Sequence, residues 1–131
     1  MTLGRTATLG FALWSAFSLA GMTQEMDGKV LYMEFCASCH GANLEGQPDW
    51  RQRLPNGRLP APPHDETGHT WHHSDEQPFL YDAEELAALA PGYETDMQAY
   101  AGVLDDAQIE AILDYIKGTW PDRERDIQQS R

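Results

Sequence analysis

The sequence predicts an all-α domain, and three observations carry that prediction. Two segments, near residues 27–40 and 105–121, repeat apolar residues at helical spacing. No segment of strand length alternates apolar with polar residues. Between the helical segments, residues 43–78 hold six of the chain's eight prolines and cannot build regular structure of their own.

The first helix starts at Asp27, a side chain suited to an N-cap. Gly28, Leu31, Tyr32, Phe35, Cys36 and Cys39 then fall on one helical face. The stretch Gly41–Asn43 ends it. The proline-rich loop that follows is far longer than an ordinary connection and needs a surface to lie on. A short helix is expected over "DAEELAALAP", residues 82–91, capped by Asp82 and stopped by Pro91. The clearest helix spans residues 105–121. Asp105 and Gln108 have capping-box spacing, Ile109, Ile112, Leu113 and Ile116 form its stripe, and Pro121 stops it. "DRERDIQQSR", residues 122–131, reads as a polar, frayed tail.

The first twenty residues differ from the rest. One basic residue, Arg5, precedes an apolar run from about Leu9 to Ala20, and no acidic residue occurs before Glu25. Ser18 and Ala20 supply the small side chains of a cleavage site. Residues 1–20 therefore read as a secretory signal, with a periplasmic mature protein. Retained, residues 1–22 would instead anchor the chain to the membrane. The domain then spans residues 21–121.

The chain has 131 residues and a formal net charge of −12. That excess repels nucleic-acid phosphates and anionic lipid alike. It favours protein partners that present basic docking patches.

Two helices and a short third make a small core for a chain of this size. The chain's only cysteines, Cys36 and Cys39, leave no others for disulfides. Something else must fill the centre. The two cysteines sit in "CASCH", with His40 directly after the second. A redox disulfide needs a strand-to-helix context that is missing before Cys36. A zinc site would need two of His64, His69, His72 and His73 at longer than usual spacing, and would leave His40 unexplained. C-x-x-C-H signals covalent c-type haem directly. Both sulfurs then reach one porphyrin, His40 becomes the proximal iron ligand, and the haem fills the core. Export agrees, because such haem is attached outside the cytoplasm.

The segments "GKVLYMEFCASCHGANLEGQP" and "YETDMQAYAGVLDDAQIEAILDYIKGTWP" resemble the first-helix and last-helix segments of class I (monohaem) cytochromes c of bacterial periplasmic type. The resemblance covers about residues 26–120. It implies a small fold in which the first and last helices cross around one covalently bound haem, with Gly28, Tyr32 and Tyr115 at the crossing. It implies an electron carrier and not an enzyme, with redox donor and acceptor proteins as partners.

Iron in such a carrier takes a second axial ligand. Met22 and Met26 lie near the mature start, and Met33 is too close before Cys36 on the same helix. Met97 follows the short helix and matches the family's distal methionine, although Gln98 stands where the family often has proline. Alternatives stay open. One of His64, His69, His72 or His73 would give bis-histidine ligation, and "GHTWHH" would suit copper or zinc. An open sixth site would make a gas-binding or sensing module. Arg51, Arg53 and Arg58 suit haem propionates, a docking spot or plain solvation, and Trp50 and Trp71 each offer an indole N–H. A carbonyl within "PAPP" is expected to accept the His40 N–H.

Overall fold

The computed structural model describes residues 27–75, 92 and 94–131. The expected export signal, Met22, Met26 and the helix at 82–91 lie outside these residues. Among the described residues no helix is long and apolar enough to cross a membrane, and no strand forms.

Helix α1 spans Gly28–Phe35. The Asp27 carboxylate accepts the backbone N–H groups of Lys29 at 2.9 Å and Val30 at 3.3 Å, as the cap reading anticipates. Apolar spacing predicts that this helix runs on through Cys39, and it does not. Cys36 is a turn residue with φ displaced to −115°, and a four-residue helix α2, Ala37–His40, follows. A contact distant in sequence accompanies the break. The Tyr100 hydroxyl donates to the Phe35 carbonyl at 2.7 Å, the acceptor that the Cys39 N–H would use in a continuous helix. The Cys39 N–H turns to the Cys36 carbonyl at 3.1 Å instead. Cys36 consequently joins the core, whereas Cys39 is exposed. The one helix expected through Cys39 is thus corrected to two shorter ones.

Helix α3 covers Asp106–Thr119 behind the anticipated capping box. Ile109, Ile112 and Ile116 are buried, and Leu113 packs at their edge. Trp120 is extended because Pro121 follows it. Pro121 does not end the helical structure, however. It caps helix α4, Asp122–Gln129, so the expected frayed tail is a packed helix. The face it buries is polar: Glu124 and Gln128 are covered, and the Gln128 amide donates to Asp75 at 2.6 Å. Periodicity of apolar residues could not find such a helix.

Helices α1 and α3 cross at Gly28. A Cβ there would lie 1.9 Å from the Ala111 carbonyl oxygen, so only glycine allows the approach. One turn on, the fully buried Tyr32 ring lies 5.4 Å from that of Tyr115. The described part of the proline-rich loop has no regular structure beyond a single 3-10 turn, Thr70–His72, on which α4 packs. It lies on the core as expected, burying Pro60, Pro63, His64 and Trp71.

Candidate functional site

The loop delivers its residues to His40 through close backbone contacts. A Cβ on Gly46 would meet the Pro63 nitrogen at 2.5 Å, and one on Gly68 would meet the Pro63 carbonyl oxygen at 2.0 Å. The Pro62–Pro63 backbone is therefore clamped between two glycines. Held there, the Pro62 carbonyl accepts the His40 Nδ1–H at 2.8 Å. That bond selects among the prolines of "PAPP" and sets the tautomer. With Nδ1 as donor, the Nε2 lone pair is available to a metal. Burial holds the His40 pKa below its ordinary value, which also favours the neutral, ligating ring.

His64, two residues after Pro62, stacks on the His40 imidazole with ring centroids 4.1 Å apart and planes 26° apart. Its backbone N–H donates to Leu44 at 2.8 Å and its carbonyl accepts the Trp120 indole N–H at 2.7 Å. Its Nδ1 lies 2.8 Å from the Thr70 hydroxyl. Burial, with smaller contributions from His40 and His69, pushes its pKa down to about 3. A ring in face contact with His40 stays on the His40 side of any porphyrin that His40 ligates. His64 is therefore not the residue that reaches the opposite face. Sequence spacing could not foresee this contact, since the stacking depends on how the loop folds back.

Cys36 and Cys39 are both free thiols. A redox dithiol sits at a strand-to-helix junction, but helix α1 precedes this pair, and burial pushes the Cys36 thiol up to about 11. For zinc, no three His, Cys, Asp or Glu side chains converge among the described residues. The donor set fits haem c: two uncommitted thiols and a neutral imidazole with its tautomer set, all within five residues.

Met97 packs at the edge of the core. The strap that carries it is pinned on both sides. Before it, Arg58 pairs with Asp96 and approaches Glu94 at 3.9 Å. After it, buried Tyr100 makes its bond to Phe35, just ahead of the cysteine motif. Exposed Met33 lies on α1 away from the core.

The other candidates have internal partners. Arg53 donates to the Gly57 carbonyl at 2.6 Å, and Arg51 lies 4.4 Å from the Trp50 ring centroid. The Trp71 indole N–H donates to Glu66 at 3.3 Å, so it is spent within the loop. Trp50 stacks on His69 at 5.6 Å, which in turn meets His73 edge-on at 5.5 Å. His72 stacks on Trp71 at 3.7 Å.

Comparison with known proteins identifies a family. The Cytochrome c family model matches residues 25–120. Searches of curated proteins and of solved structures returned no match. The match covers both crossed helices, the cysteine motif, the proline-rich loop and the Met97 strap, and with no strand among the described residues the fold is that of a small all-α cytochrome c. The chain belongs to the cytochrome c family, whose members bind covalently attached haem c and serve haem-based electron transfer.

Proposed function

We propose that the chain is a periplasmic single-electron carrier with one covalent haem c. Cys36 and Cys39 form the two thioethers, His40 is the proximal iron ligand, and Met97 is the distal one. The observation that carries this reading is the 2.8 Å bond from His40 Nδ1 to the Pro62 carbonyl. It leaves Nε2 as the ligating atom and sets the tautomer before any iron arrives.

Haem supplies a one-electron couple when bound. The chain's residues tune that couple. Met97 offers a soft thioether that favours the ferrous state and raises the potential. Arg58 before it and Tyr100 after it would tether the strap that carries this ligand. The buried isoleucine face of α3 excludes water from the interior. No acid, base or nucleophile is required, since no bond to a substrate is made.

Residues 1–20 act as an export signal in this reading, and the net charge of −12 selects donors and acceptors with basic patches. Such association weakens as salt rises. The test is an absorption spectrum of the exported protein with the potential titrated. A methionine–iron charge-transfer band is expected in the ferric protein and should vanish in Met97→Ala. Rapid binding of carbon monoxide to the unmodified ferrous protein would overturn the carrier and favour a gas-binding module.

A further inference from the structure

The proposed haem ligation explains Cys36, Cys39, His40 and Met97, but not a second buried imidazole beside His40. His64 is 8% exposed and lies in full face contact with His40, at 4.1 Å between centroids. An apolar side chain would fill that space without the cost of burying a polar ring. The protein instead holds this residue by both its backbone and its ring. Leu44 adopts φ +64°, a left-handed conformation that disfavours side chains, and from it presents its carbonyl to the His64 N–H at 2.8 Å. Thr70 holds Nδ1 at 2.8 Å. Trp120 takes the carbonyl at 2.7 Å. Tyr32 closes the edge, its ring 6.3 Å away and nearly perpendicular.

We infer that His64 is a positioning residue for the proximal iron ligand, fixing the plane of the His40 ring and favouring the oxidised state. The inference rests on the proposed ligation by His40. Two contacts define an imidazole in space. The Pro62 carbonyl fixes where Nδ1 points but leaves rotation about that bond free. The face of His64, two residues along the same clamped backbone, removes the rotation. The electronic effect has a definite sign. A neutral aromatic face is electron-rich, and positive charge on the ligating ring grows as the iron is oxidised. The face of His64 stabilises that charge, as an aromatic face stabilises a cation, so His64 lowers the midpoint potential relative to an aliphatic neighbour.

The full chain, matured with haem, would be compared as wild type, His64→Leu and Thr70→Val. The readouts are the ferric electron paramagnetic resonance g values, which follow ligand-plane orientation, and the midpoint potential. His64→Leu should shift the midpoint upward and change the g anisotropy. Thr70→Val keeps the stacked ring but frees its edge, so the g values should broaden or move while the absorption spectrum is retained. It also decides the matter should His64→Leu fail to take up haem. If wild type is not low-spin with His40 as a ligand, the ligation underneath the inference is wrong. With a low-spin wild type, unchanged g values in Thr70→Val and, where it forms, an unchanged midpoint in His64→Leu would overturn this inference alone.

Discussion

Gly28→Ala tests the crossing of the first and last helices, on which the placement of the cysteine motif depends. The added Cβ would sit 1.9 Å from the Ala111 carbonyl oxygen and 2.5 Å from the Ala111 carbonyl carbon. Both are backbone atoms of α3 and cannot swing aside. Ordinary contact begins at about 3.4 Å, so the helices must part by about 1.5 Å at this point. Parting them loosens Tyr32 and Ile112, both fully buried at the same interface. Overpacking of this kind costs roughly 1–3 kcal/mol. The better helix propensity of alanine opposes it by at most about 1 kcal/mol, and by less at the first helical residue. A net loss of about 2 kcal/mol follows, which lowers the melting temperature by roughly 10 °C in a domain of this size. Thermal unfolding followed by far-ultraviolet circular dichroism reads it directly. Gly118→Ala is the matched control, since its Cβ would meet nothing within 4 Å; it should hold or raise the melting temperature. A Gly28→Ala protein that melts with, or above, the wild type would refute the close crossing.

Two further outcomes follow from the loop. Trp120→Phe removes the indole N–H that the buried His64 carbonyl accepts; an unpaired buried carbonyl and the lost volume should cost about 2 kcal/mol in urea unfolding, and an unchanged midpoint would show that the bond contributes nothing. Acid should also weaken the fold through His64. Its folded pKa of about 3 lies below the ordinary 6.5, so the unfolded chain takes up the proton first. Stability from this group is therefore complete above pH 6.5 and declines as pH falls toward 3, at up to about 1.4 kcal/mol per pH unit. His69, also depressed by burial, acts in the same direction. Urea midpoints at pH 7.5 and 5.0 measure the decline, and His64→Leu should show a smaller one; an equal decline would remove His64 as the cause.

The sequence by itself determined the parts governed by neighbours along the chain. The Asp27 cap, the Asp105–Gln108 box and the α3 stripe depend on residues within a turn or two, and each is present as read. The C-x-x-C-H spacing is equally local, and with the unfilled core and the apolar leader it points to a haem site. The tertiary structure decided whatever depends on a distant partner. The break at Cys36 accompanies a bond from Tyr100, 65 residues after the carbonyl it takes. The choice of Pro62 within "PAPP" depends on two glycines that let the backbone pass. Helix α4 is invisible to apolar periodicity because the face it buries is polar and gains its partner, Asp75, only across the fold. The role of His64 is hidden for the same reason: a histidine in a loop looks alike in sequence whether solvated or stacked. Only the folded chain, by bringing residue 64 against residue 40, distinguishes the two.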